Sequence, residues 1–337
     1  MVSGAEAARD RIRLPHPEAA AGIREDLLER LRALPEGHPS ALPDGGPGAD
    51  RGHGARLRYW PVEGTATGQA TADHRQAAPE RQAAPDGRPG YWERVPEFRR
   101  MWAEHEARWP APREAAAADR PADPAGSWRG VGNQYLSPGQ HAEACRVIEM
   151  TRQREGQISA DMRQVERENS HGARLAGWEF RLKGPERLKE KIAAKIEHEP
   201  GRSPADATRG INDAVRYTFR VAPDRYADAY RDVKSLLADR GYTMTYSKNH
   251  WRDDPEYKGI NTRWLAPSGQ RFEVQFHTAE SLHAKQEITH GSYERIRIPL
   301  TSDDERGELA SFQRAVSSAL EVPVGIAAIP DYRKEVR

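Results

Sequence analysis

Apolar and polar positions alternate along YKGINTRWLAPSGQRFEVQFHT, residues 257–278, on either side of a Pro267-Ser268-Gly269 turn. That pattern predicts a β-hairpin. In its second strand Phe272, Val274 and Phe276 share one face, and Arg271, Glu273, Gln275 and His277 share the other. Any antiparallel sheet with one wet face shows the same alternation, so the pattern alone assigns no chemistry. A second strand is predicted at AVRYTFRV, residues 214–221, with Val215, Tyr217, Phe219 and Val221 inward and Arg216, Thr218 and Arg220 outward. A third is predicted at YTMTYS, residues 242–247, followed by a basic and aromatic loop, KNHWRDDPEYKG.

Helical spacing separates these strands. Val147, Ile148, Met150, Ile158, Met162 and Val165 form one stripe, and Pro185 opens a helix with Leu188, Ile192 and Ile196 inward. In that helix Lys189, Lys191 and Lys195 lie on other faces. Tyr226, Tyr230, Val233 and Leu237 line a helix from Pro223 to Arg240 that stops at Gly241. Helices are also expected over SLHAKQEITHGSYERIR and from Asp303 to Leu320. This order predicts an α+β fold, a mixed β-sheet flanked by helices, over residues 137–322, with a tail at 323–337.

Before residue 137 the pattern weakens. Residues 17–34 read as a short amphipathic helix within an N-terminal segment, 1–36, with Ile23, Leu27, Leu28 and Leu31 at helical spacing. Residues 37–136 read as a low-complexity Pro/Ala/Gly-rich linker, too poor in apolar surface to offset its ordering entropy. It is interrupted by an aromatic helix near 91–109, YWERVPEFRRMWAEHEARW, expected to dock elsewhere in the fold. The AEHE within it lacks the second histidine of a zinc-protease helix.

Composition adds limits. Only 37% of the 337 residues are hydrophobic, and most of the 25 prolines precede residue 140, so the polar bias is local to the N-terminal half. A net charge of +1 supplies no global field for nucleic acid or membrane, so an anion site needs local clustering. The single cysteine, Cys145, excludes an internal disulfide and a cysteine-rich zinc site, and is expected to be a buried thiol. No apolar h-region and no membrane-length run is present, so a cytoplasmic protein is expected.

Four segments place charge where a polyphosphate and a metal could be held. Arg181, Lys183, Lys189 and Lys191 surround a helix start, a natural phosphate site. Asp213 precedes a strand, where a Mg²⁺ carboxylate is commonly found, Lys248 opens the loop toward Gly259, and Glu273 projects from the polar face of the hairpin. In this order the segments resemble the synthetase domain of RelA/SpoT-type alarmone synthetases, a nucleotidyltransferase-like fold. Arg181-Leu182-Lys183-Gly184 with Lys189 and Lys191 stands where that family has Arg-x-Lys-Ser and a lysine-bearing helix. Asp213 with Arg216 matches its Mg²⁺-binding aspartate and strand arginine. Lys248-Asn249-His250-Trp251, leading to Lys258-Gly259-Ile260-Asn261, takes the place of its Lys-Asp-Tyr and Asn-Gly-Tyr segments. Glu273-Val274-Gln275-Phe276-His277-Thr278 matches Glu-x-Gln-x-Arg-Thr, and His290 with Tyr293 matches His-x-x-Tyr.

The resemblance implies transfer of the β,γ-diphosphate of ATP to the 3′-hydroxyl of a guanine or adenine nucleotide, giving (p)ppGpp- or (p)ppApp-type products. It implies ATP contacts at Arg181, Lys183, Lys189, Lys191 and Arg216, and acceptor contacts at Lys248, Tyr257, Asn261, Arg263, Gln275, His277 and His290. Asp213 and Glu273 would be catalytic and hold Mg²⁺. Ile260 replaces the family's base-stacking tyrosine, leaving Tyr257, Trp251 or Trp264 as substitutes, and His277 and Gly184 replace its Arg and Ser. Such divergence is similar to the toxin-like small synthetases. Some of those make adenosine-based products and others pyrophosphorylate the 3′ end of tRNA, so tRNA as acceptor and a neutralising antitoxin or immunity protein belong among the implied partners. A nucleotide-binding module without catalysis is the remaining alternative.

Overall fold

The computed structural model describes residues 89–110, 123–130, 133–298 and 300–334. The helix expected at 17–34, and most of the linker around it, lie outside these residues.

Helix α1 (Tyr91–Arg108) comes first among them, then the short antiparallel pair β1 (Trp128–Arg129) and β2 (Tyr135–Leu136). Ser137 caps α2 (Pro138–Glu168) in a capping box with Gln140, the reciprocal pairing that satisfies two orphan donors. Strand β3 (Arg174–Ala176) leads through a 3₁₀ turn at Trp178–Phe180 to α3 (Pro185–His198), which starts on proline as expected. Helix α4 (Pro204–Arg209) precedes β4 (Arg216–Arg220), and α5 (Tyr226–Asp239) ends where Gly241 takes a φ of 79°. Strand β5 (Thr243–Asn249) runs into α6 (His250–Asp253), so the expected loop contains a helical turn capped by the Asn249 side chain. The hairpin follows as β6 (Ile260–Leu265) and β7 (Arg271–His277), with Gly269 at φ 78° in its turn. Helix α7 (Ala279–His283) passes through a π turn at Ala284–Ile288 into α8 (His290–Ile296). Helix α9 (Asp303–Ser317) and β8 (Tyr332–Arg333) complete the described chain.

Six strands form one mixed sheet in the order β3-β4-β7-β6-β5-β8. Among the described strands only β4 and β7 pair in parallel; the other neighbours are antiparallel. Tyr217, Phe219, Phe272, Val274, Phe276, Ile260 and Trp264 are buried on one face, where Ile158, Met162 and Val165 of α2 and Tyr226, Tyr230, Val233 and Leu237 of α5 join the same core. Helix α1 is part of this core through Tyr91, Val95 and Phe98, so the packed body extends N-terminal of Ser137. A second cluster joins Leu136 and Ala144 to Leu188, Ile192, Ala207 and Ala214.

Two expectations fail on α2. Cys145 is exposed, because its neighbour Ala144 holds the inward position and one residue is about 100° of rotation. Met150 is 46% exposed for the same reason, with Thr151 turned inward instead.

Candidate active site

Parallel pairing of β4 and β7 aligns the polar face of the sheet into rows. Arg216, Glu273 and Arg263 lie side by side, and Tyr246 extends the row onto β5. The next row is Thr218, Gln275, Asn261 and Lys248. Glu273 therefore stands between two arginines on neighbouring strands, and no hydrogen bond or ion pair joins its carboxylate to the described residues. The Arg263 guanidinium lies 4.5 Å from the centre of the Tyr246 ring.

The strand end below this row is held from both sides. Val215 O accepts from Glu273 N at 3.0 Å, while Arg216 N donates to Arg181 O and Lys183 N to Ala214 O. Asp213 follows from that anchoring. Its carboxylate takes both oxygens to Lys191 Nζ at 2.7 and 2.5 Å and lies 3.5 Å from Lys183 Nζ. Burial alone would raise the Asp213 pKa, but Lys183, Lys191 and Arg216 outweigh it and hold the carboxyl below the usual range. Lys183 moves down as well, chiefly through burial, with Lys191 and Arg216 adding repulsion against the pull of Asp213.

The remaining expected ATP contacts separate. Arg181 Nε donates to Glu155 at 2.7 Å, and its guanidinium lies 4.7 Å from the Trp178 ring centre. Glu155 is buried and also accepts from Tyr217 Oη at 3.2 Å and from Ser159 Oγ. Lys189 does not join Lys183 and Lys191. Its side chain is buried, paired with Glu186 at 2.5 Å and 5.6 Å from the Trp128 ring centre. The two-residue step from Lys189 to Lys191 puts it about 200° around α3.

Several expected acceptor contacts are occupied internally. His277 is fully buried, with Nδ1 3.0 Å from Ser281 Oγ and Nε2 3.0 Å from Tyr257 Oη, and that hydroxyl donates to Asn261 at 2.9 Å. The polar face of β7 thus closes at its C-terminal end, because Thr278 caps α7 there and brings Ser281 over the strand. Gly259 permits this packing: a Cβ there would lie 2.8 Å from His277 Cε1 and 3.1 Å from Phe276 O. Burial, then Lys285 and Arg216, hold the His277 imidazole well below its usual pKa. Lys248 pairs with Asp331 at 2.8 Å. His290 is half-buried at the start of α8, while Tyr293 is 52% exposed.

The aromatic substitutes for Ile260 are not free to stack. Trp264 and Trp251 are buried in the core, Trp251 donating to Tyr226 Oη at 3.3 Å, and Tyr257 is bound as described. Tyr246, which strand alternation alone did not single out, is the half-buried ring on the polar rows.

Lys285 also escaped the sequence pattern. Carried by the π turn, it donates to Gln275 Oε1 on the polar face. Burial and the repulsion of Arg216 bring its amine down to about 7, against the opposing pull of Glu273. Its helix gives no alternation to follow, and only the register of β7 shows what it meets.

Among the described residues no three His, Cys, Asp or Glu side chains gather as a metal cage. No helix among them is long and apolar enough to cross a membrane.

No protein-family model and no curated protein matches the chain. Among solved structures it is similar to the Type VI effector Tas1 in complex with its immunity protein, at 22% identity and a TM-score of 0.37, over 52% of this chain and 94% of that one. It is also similar to small alarmone synthetase 1 from Bacillus subtilis bound to its product pppGpp, at 17% identity and 0.35, over 51% and 90%. Small alarmone synthetase 2 from Bacillus subtilis gives 12% and 0.34, over 51% and 93%. At these identities and TM-scores the likeness decides nothing about activity.

Proposed function

We propose that this protein is a nucleotide pyrophosphokinase, transferring the β,γ-diphosphate of ATP to the 3′-hydroxyl of a purine nucleotide. The observation that carries this reading is the Glu273 carboxylate, unpaired among the described residues and set between Arg216 and Arg263. It stands on a strand whose Glu273 N is bonded to Val215 O, two residues after the lysine-clamped Asp213. A polyphosphate needs cations around it, and phosphoryl transfer needs positioning and charge neutralisation more than covalent chemistry. Lys183, Lys191 and Arg216 supply the cations on the ATP side. Arg263, Asn261 and Gln275 lie on the acceptor side, and Tyr246 offers the acceptor base an aromatic face that Ile260 does not.

Asp213 and Glu273 are carboxylates of the kind that suit Mg²⁺, which is commonly held by one or two carboxylates plus substrate phosphates. Asp213 and Glu273 would hold it, and when bound it would neutralise charge on the phosphate oxygens. Glu273, bonded to neither Arg216 nor Arg263, takes the proton of the attacking hydroxyl.

The test is a transfer assay on the full chain with Mg²⁺, ATP labelled at the γ position, and GDP, GTP, ADP, ATP or deacylated tRNA in turn. Label on one nucleotide supports the reading and names the acceptor. Label on tRNA alone replaces the nucleotide acceptor with RNA. No transfer to any of them, with ATP bound, overturns it in favour of a nucleotide-binding module.

A further inference from the structure

Lys285 is absent from the assignment above, yet the fold places it on the same polar face. Its amine bonds Gln275, two residues beyond Glu273 on the same strand and face, so it sits one row past the Arg216–Glu273–Arg263 row. Lys183 and Lys191 lie at the other side of that row, where they hold Asp213. The titratable groups that face Lys285 are Arg216 on β4 and Glu273 and the neutral imidazole of His277 on β7. The π turn at Ala284–Ile288 delivers it there, an irregularity found frequently at functional sites. A lysine confined among protein groups and facing a like-charged arginine is poorly stabilised by the protein alone. An anion arriving between the two would satisfy both.

We propose that Lys285 is a catalytic residue whose ammonium holds the diphosphate group during transfer, from the far side of the Glu273 row to Lys183 and Lys191. This deepens the transfer reading and rests on it. In the step, the acceptor 3′-oxygen forms a bond to the β-phosphorus of ATP while the bond between that phosphorus and the bridging oxygen breaks. The bonding pair leaves with the bridging oxygen on AMP, and the hydroxyl proton passes to Glu273. Lys183 and Lys191 neutralise the donor end, whereas Lys285 meets the diphosphate as it moves toward the acceptor row, so its contact strengthens as transfer proceeds.

The experiment compares the full chain with its Lys285→Met variant. Turnover is expected to fall about 10²-fold or more, as for loss of one transition-state donor, with KM for ATP within about twofold. Thermal stability should stay level or rise, since methionine removes a poorly solvated charge; a purely structural lysine would lower it. In parallel, inorganic pyrophosphate with Mg²⁺ should protect Lys285 of the unmodified chain from an amine-directed acylating reagent, read by mass spectrometry. This second measurement needs no folded variant and no turnover. Protection without any label transfer by the unmodified chain would remove the transfer reading and keep the anion contact. Labelling of Lys285 unchanged at saturating pyrophosphate, or Lys285→Met turning over as the unmodified chain does, overturns the proposal.

Discussion

Arg216 and Glu273 are register partners on adjacent parallel strands, with both side chains on the sheet face away from the aromatic core. Arg263 stands on the other side of Glu273, so the carboxylate has guanidinium neighbours left and right and a bond to neither. Glu273→Gln keeps the shape and removes the charge. Label transfer should fall by about 10³-fold, within the range for a lost general base, while the melting temperature stays unchanged. Turnover equal to that of the unmodified chain would remove Glu273 from the chemistry.

Lys183 and Lys191 share Asp213, and the consequence for ATP is testable. The Lys191→Met variant should raise KM for ATP about tenfold with a smaller effect on kcat, because the lysine contributes charge to donor binding before and during transfer. Lys189→Met, removing the lysine paired with Glu186, should leave KM for ATP within about twofold. Equal effects from both would put the donor phosphates elsewhere on α3.

Glu155 is a buried carboxylate with Arg181, Ser159 and Tyr217 all directed at it. Removing one partner of a buried pair leaves the other uncompensated, so Glu155→Ala should cost about 3 kcal/mol in a urea titration. Glu155→Gln should cost less, since an amide still accepts from Tyr217. Stability unchanged in Glu155→Ala would show that Arg181 finds solvent instead.

His277 sets a dependence on pH. Its folded pKa lies well below 6.5, so in the window beneath that value the unfolded chain binds the proton that the folded chain refuses. Stability is therefore retained above pH about 6.5 and lost as pH falls, by up to about 1.4 kcal/mol per unit from this group, until the buried imidazole itself protonates. Urea midpoints between about pH 7.5 and about pH 5.5 should fall less steeply in His277→Gln than in the unmodified chain. Identical slopes would assign the acid sensitivity to other groups.

The sheet was legible because its strands alternate strictly: Val215, Tyr217 and Phe219, then Phe272, Val274 and Phe276, are inward as the pattern requires. The helices on proline or glycine signals, at Pro185 and Gly241, were legible for the same local reason. Asp213, Lys183 and Lys191, singled out in separate segments, are brought together by ion pairing. What escaped depended on long-range register. Nothing local tells that Lys189 turns toward Trp128, that Ser281 and Tyr257 enclose His277, or that Lys285 meets Gln275. Cys145 and Met150 escaped because one step around a long helix exchanges core for solvent.

The parallel pairing of β4 with β7 also governs when the polar face can exist during synthesis. Arg216 is made early and Glu273 late, with α5, β5 and β6 between them, and Lys285 follows later still. A nascent chain that ends within β6 has the lysines and Asp213 but no carboxylate beside Arg216, and β4 has an open edge. Loop closure of this length is slow relative to hairpin formation, so β6 and β7 zip together before docking onto β4. The groups proposed to bind ATP and those proposed to complete transfer are thus separated in time as well as along the chain, and a truncated product stays chemically silent.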